Sequence, residues 1–285
     1  MRKSKGLGIA LGGGGARGLA HMGVLLELER AGLAPEMVAG TSMGAIIGGL
    51  YAAGQDLKRV FTVLTSLDLK HIFGLSESYR RMLEHSVGQT LIEHLRGPSW
   101  QREISPRMAR FLELLRLFGK GLHFEDLPVE FVAVAADVHT GEEVDIDEGP
   151  LYLGMAASAA LPGVLQPLRL SGRWMIDGGV VNNLPADVVL DMGAGVVVAV
   201  DVSARLEPEP RTVVDILLRS YAITAKELAR VKLDRVRERL GERLLYVRPE
   251  VEEIGVLEFE RLAEAVEAGR AAAQAAIPRI RTALG

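Results

Sequence analysis

MVAGTSMGAIIGGLYAA, residues 37–53, changes character in its middle. Met37–Ala39 is a short apolar run, and Met43–Ala53 is apolar over a helical length. Between them lies GTSMG, residues 40–44, which fits G-x-S-x-G. A serine on a sharp strand-to-helix turn presents its hydroxyl, and flanking glycines remove side chains that would crowd the turn. Ser42 is therefore the candidate nucleophile. The same serine would also suit a helix N-cap.

Upstream, LGIALGGGGARGLAHMGVL (residues 7–25) repeats the strand–turn–helix order. Gly13, Gly15 and Gly18 match G-x-G-x-x-G, the dinucleotide fingerprint. That fingerprint also needs an acidic residue after the second strand, where this chain has Thr41 and Ser42. A phosphate-binding P-loop fails too, because no Lys-Ser or Lys-Thr pair follows the glycines. Glycine amides opening a helix can instead meet the oxyanion of an acyl-transfer intermediate, helped by the helix dipole. The plain alternative is a tight turn that binds nothing.

Further out, short apolar runs alternate with helical patterns. Strands are expected at 7–11, 37–39, 131–136, 174–176, 196–202 and 244–247. Helices are expected at 16–31, 43–53, 184–192 and 213–240, with an alanine-rich helix at 259–276. Such alternation predicts an α/β fold with a mainly parallel sheet between helices. Residues 55–125 break the rhythm and read as a helical, lid-like insertion with turns at Gly74, Gly97–Pro98 and Gly119–Gly121. The expected organisation is one domain over 5–205, with 206–285 as a helical extension packed on it. Glu207–Pro210 reads as a loop.

Bulk composition narrows the function. The 285 residues are 48% hydrophobic and 25% charged, with a net charge of −4 and no cysteine. This excludes thiol chemistry and gives no sign of nucleic-acid binding. The apolar run behind the basic residues of MRKSKGLGIAL is too short for a secretion signal or a membrane span. A cytoplasmic protein is expected.

A serine nucleophile needs a base. The histidines are His21, His71, His85, His94, His123 and His139, all ahead of residue 140. A chain order of Ser, Asp, His with a late histidine is thus closed. His21, one turn into the glycine-loop helix, is the histidine best placed to reach the site. Asp137, Asp177 and Asp201 each end a predicted strand, on the sheet edge where ligands bind. Spacing leaves these three nearly level. Asp177 gains from Asp-Gly-Gly, whose small neighbours let another loop approach, although WMIDGGVV also suits a hairpin.

Taken together, GGGGARG (12–18), GTSMG (40–44) and DGG (177–179) resemble the patatin-like phospholipase family in content and order. AASAALPGVLQPL, residues 156–168, resembles the region before the family's aspartate. The resemblance implies a patatin-type three-layer sandwich and a lipid acyl hydrolase or esterase that needs no metal or cofactor. It implies Ser42 as nucleophile, Asp177 as its base, and Gly13, Gly14, Gly15 and Arg17 as the oxyanion loop. Gly18 and Met43 complete the expected oxyanion- and substrate-binding set. Plant patatins begin this loop with aspartate, where this chain has Gly12. An aspartate base stays ionised at lower pH than histidine, so activity is expected to persist into mildly acidic pH.

The remaining expectations concern partners. Arg17 suits either an anionic lipid headgroup or a salt bridge bracing the loop. RMARFLELLRLF (107–118) carries Arg107, Arg110 and Arg116 along an apolar helix. It is expected mainly to pack on the core as a lid, and residues 100–123 could also touch an anionic membrane surface. The arginine-rich helix 217–240 alternates with acids and reads as a solvated face. A regulatory or scaffolding protein of the same fold, or a dinucleotide-binding oxidoreductase, would be the competing functions.

Overall fold

Valine-rich strands with no polar side chain can only be buried on both faces, and the computed structural model is built on such strands. It describes residues 5–67, 104–162, 164–204 and 213–285. The strands are β1 (Lys5–Leu11), β2 (Met37–Thr41), β3 (Glu130–Asp137), β4 (Glu143–Ile146), β5 (Leu168–Leu170), β6 (Arg173–Asp177), β7 (Ala194–Val200) and β8 (Leu244–Val247). They form one sheet in the order β5-β6-β3-β2-β1-β7-β8, with β4 paired to β3. β3, β2, β1, β7 and β8 run parallel, while β4, β5 and β6 pair antiparallel.

The helices are α1 (Ala20–Arg30), α2 (Met43–Ala52), α3 (Leu57–Ser66), α4 (Pro106–Phe118), α5 (Leu151–Ser158), α6 (Ala186–Asp191), α7 (Val213–Leu240) and α8 (Leu262–Leu284). Alternate residues of each central strand feed opposite layers. Ile9, Leu11, Val196, Val198 and Val200 join one core with side chains of α1, α2, α4, α5 and α8. Ala10, Val197 and Ala199 join the other with α6 and α7. The result is a three-layer sandwich.

Several expectations are refined. β6 runs antiparallel and ends at Asp177 in a 3-10 turn, Gly178–Val180, so WMIDGGVV is no hairpin. The glycine-loop helix begins with a 3-10 turn, Gly15–Leu19, before α1. α4 starts at the Ser105 cap with Pro106 in its first turn, and buries Met108, Phe111 and Leu115 on the core. Ile104 and Leu117 stay exposed beside that packed face. Among the described residues no helix is long and apolar enough to cross a membrane. His71, His85, His94, Gly74, Gly97–Pro98, residues 100–103 and Glu207–Pro210 lie outside the described residues.

Candidate active site

The site forms where β1, β2 and β6 end. Ser42 links β2 to α2 with φ 56° and ψ −122°. Positive φ is costly for a residue with a Cβ and marks stored strain. The turn is over-determined by its neighbours. Ser42 N–H donates to Ser158 Oγ at 3.0 Å, and Ser158 Oγ donates to the Val134 carbonyl at 2.5 Å. Thr41 Oγ1 donates to the Asn182 carbonyl at 2.7 Å. A Cβ at Gly44 would lie 2.0 Å from the Leu11 carbonyl, so only glycine closes this junction. Ser42 holds the N-cap position of α2, but its side chain makes no cap bond, which leaves the hydroxyl free of the helix.

Ser42 and Asp177 line the same cavity. Asp177 is 1% exposed. Its Oδ1 accepts Gly179 N–H at 2.8 Å and the Tyr221 hydroxyl at 3.4 Å. Burial pushes its pKa up from 3.8 to about 6, and interactions with Ser42, Gly179 and Tyr221 oppose the rise. The competing aspartates are spent on structure. Asp137 holds Arg173 Nε at 2.6 Å and the His139 amide at 2.8 Å, which lowers its pKa. Asp201 accepts from Ser203 N–H at 2.8 Å and from the Tyr246 hydroxyl at 2.5 Å. Of the three, only Asp177 lines the cavity that Ser42 lines.

The glycine loop crosses beside Ser42, and its peptides are clamped. His21 Nε2 donates to the Gly12 carbonyl at 2.7 Å, while Gly13 N–H donates to the Asn183 carbonyl at 3.0 Å. Asn183 Nδ2 then donates to the Gly13 carbonyl at 3.2 Å. The Gly13 amide is thus already used and is not a free oxyanion donor. Gly14 and Gly15 N–H, and that of Met43 at the start of α2, have no acceptor among the described residues. Gly15 sits at φ 57°, and a Cβ there would meet the Val256 carbonyl at 2.2 Å. Gly18 lies behind the loop, where a Cβ would strike Met43.

His21 is wholly buried, and burial lowers its pKa to about 4. It is a neutral brace for the Gly12 carbonyl rather than a base. Arg17 is buried as well, with Nε on the Val202 carbonyl at 2.9 Å and Nη1 on the Ile254 carbonyl at 2.8 Å. Burial lowers its pKa to about 10. It braces the loop through backbone carbonyls, not through a salt bridge.

Ser42, Asp177, Gly13, Gly14, Gly15, Arg17 and Met43 line one cavity of about 290 Å³, and Gly18 does not. Its further walls are mostly apolar, with Ile46, Leu161, Val164, Leu165 and Phe259 among them, and Asn183, Ser203, Arg219, Tyr221 and Lys226 adding polar groups. A second cavity of about 40 Å³, entirely apolar, shares Met43, Ile46 and Phe259. Apolar depth with a few convergent polar groups is the usual form of a ligand site.

The sequence reading missed Ser158, Asn183 and Tyr221. Ser158 and Asn183 carry no local signal. Tyr221 had one: Tyr221, Ala225, Ala229, Leu233, Val236 and Leu240 recur at helical spacing on α7. Ala225, Leu233, Val236 and Leu240 are buried, so α7 has an inward face and is not wholly solvated.

The sequence is 36% identical over 200 residues to a patatin-like phospholipase domain-containing protein of Caenorhabditis elegans, covering 70% of this chain and 14% of that protein. It is 29% identical over 287 residues to lysophospholipase NTE1 of Pyricularia oryzae, covering 93% and 18%. It is 29% identical over 299 residues to an NTE family protein of Mycobacterium tuberculosis, covering 96% and 46%. The chain therefore spans less than half the length of these relatives. The fold resembles VipD from Legionella pneumophila, with TM-score 0.52 and 16% identity over 98% of this chain and 67% of that one. It also resembles human GIVD cytosolic phospholipase A2, with TM-score 0.51 and 11% identity over 99% and 63%. Residues 9–190, which carry all three motifs, match the family model described as patatin-like phospholipase, and the chain belongs to that family.

Proposed function

We propose that this chain is a serine hydrolase that cleaves carboxylic ester bonds of lipids, of phospholipase A, lysophospholipase or esterase type. One observation carries the reading: a serine at φ 56° and a buried carboxylate line the same largely apolar cavity. The acyl chain lies along Met43, Ile46 and Phe259. Ser42 Oγ attacks the ester carbonyl carbon while its proton passes to Asp177. The negative charge that develops on the carbonyl oxygen meets the free amides of Gly14 and Gly15. Collapse of the tetrahedral intermediate expels the alcohol, which takes the proton from Asp177. Water then attacks the acyl-serine with Asp177 again as base, releasing the fatty acid and restoring Ser42.

Peripheral membrane contact belongs to the same reading. Ile104 and Leu117 are exposed on or beside α4, and Arg110 is exposed on it. Loss of binding to anionic vesicles on reversing the charges at 107, 110 and 116 is the expected result.

The test is covalent labelling by a fluorophosphonate, mapped by mass spectrometry, together with turnover of long-chain lysophospholipid and short-chain esters. Label on Ser42, absent in Ser42→Ala and slowed at least ~100-fold in Asp177→Asn, is expected. Folded protein that takes no label at Ser42 would overturn the proposal.

A further inference from the structure

One polar group at the site has no part in that chemistry. Tyr221 belongs to α7, beyond the segment 9–190 matched to the family. Its hydroxyl donates to Asp177 Oδ1 at 3.4 Å. The same hydroxyl lies over residue 179, where a Cβ would fall 2.1 Å from it. The second glycine of Asp-Gly-Gly therefore makes room for a phenol from a distant helix. With Gly179 N–H also on Oδ1, Oδ2 is the oxygen left for the serine proton.

The helix carrying Tyr221 is tied to the turn carrying Ser42. About three turns further along α7, Lys232 Nζ donates to Glu143 at 2.5 Å and to Asp187 at 2.8 Å. Asn182 Nδ2 bridges the same two carboxylates at 2.7 and 2.8 Å. The Asn182 carbonyl accepts from Thr41, the residue before Ser42. One polar network thus fixes the distance between the phenol and the nucleophile turn.

We propose that Tyr221 is a positioning residue of the Ser42–Asp177 pair, holding Oδ1 so that Oδ2 faces the serine hydroxyl. The proposal rests on reading that pair as the nucleophile and base. A phenol donating to a carboxylate also favours its ionised form, and burial with Asp177 beside it keeps the phenol itself protonated. Asp177 is the only acid lining the cavity among the described residues. The cations lining it are Arg17, turned to the Val202 and Ile254 carbonyls, and Arg219 and Lys226 of α7.

Tyr221→Phe removes the donor and keeps the ring. Fluorophosphonate inactivation and ester turnover would be followed from pH 5 to 9, with thermal unfolding as the check on folding. The plateau of kcat/KM should fall about tenfold with KM within about twofold. The acidic limb should move up by about half to one pH unit. Incorporation of 3-fluorotyrosine at 221, a stronger donor, should move that limb down. An unchanged limb in both proteins would overturn the proposal, as would a loss confined to KM, which would make Tyr221 only a cavity wall. Wild-type protein unlabelled at Ser42 would instead remove the underlying pair, a result distinct from either.

Discussion

Replacing Asp177 by asparagine should make the protein more stable and nearly inactive. The carboxylate is 1% exposed, and among the described residues no cation bonds to it. Its pKa of about 6 against the usual 3.8 corresponds to ~3 kcal/mol charged against the folded state when the group is ionised. The direction follows from linkage. Between these two values the folded state holds a proton that the unfolded chain has released. Stability therefore falls as pH rises through that window. The penalty is absent below about pH 4, roughly half developed at pH 5, and complete above about pH 7. Asparagine keeps an oxygen for Gly179 N–H and carries no charge. At pH 8 the variant should gain ~1–3 kcal/mol, or about 2–5 °C in Tm. Thermal unfolding of both proteins at pH 5, 6.5 and 8 should show the gap narrowing towards acid. A variant less stable than wild type at pH 8, or a gap independent of pH, would refute the reasoning.

Three more outcomes follow from the same geometry. The proposed mechanism needs the ionised carboxylate, so kcat/KM should be full above about pH 7 and fall about tenfold per unit below about 6, as a pH–rate profile would read. Asn183→Ala frees the Gly13 carbonyl and loosens the Gly13–Gly14 peptide, so kcat should drop ~10–100-fold with little change in KM, measured by steady-state kinetics. Gly15→Ala puts a Cβ onto the Val256 carbonyl at positive φ, so denaturant unfolding should show a loss of at least ~2 kcal/mol.

The legible parts of this site were the local ones. GTSMG and GGGGARG each define a turn through their own residues, and both fold as strand–turn–helix units. What depends on distant partners was hidden. Asp137, Asp177 and Asp201 looked alike until Arg173, Ser203 and Tyr246 claimed two of them. Four glycines looked equivalent, yet Gly13 spends its amide on Asn183. EVDI and LRL, at β4 and β5, are too short and polar to announce edge strands. α5, LYLGMAAS, has almost no amphipathic pattern because much of it is buried. The expectation of activity at mildly acidic pH holds only for an aspartate without a large pKa shift. It assumed an aspartate in water, whereas burial brings Asp177 to about 6, near an ordinary histidine. A pH profile alone therefore does not tell the two bases apart. His21 is set aside by its burial, its pKa of about 4 and its bond to Gly12.

The burial that destabilises the folded protein is what would make this pair competent. In the ground state the negative charge sits on Asp177, which accepts from Gly179 and Tyr221 and has no bonded cation among the described residues. In the proposed mechanism the Ser42 proton moves to Asp177 as the hydroxyl attacks, and the charge leaves the poorly solvated carboxylate for the carbonyl oxygen of the ester. There it would meet the amides of Gly14 and Gly15, which have no acceptors among the described residues. The desolvation cost is thus borne by the resting enzyme and relieved towards the transition state, which is the differential stabilisation that lowers a barrier. A cation beside Asp177 would stabilise the fold and hold the charge in the wrong place. Arg17 is buried close by, yet its Nε and Nη1 are turned to the Val202 and Ile254 carbonyls, so it stiffens the loop without neutralising the base.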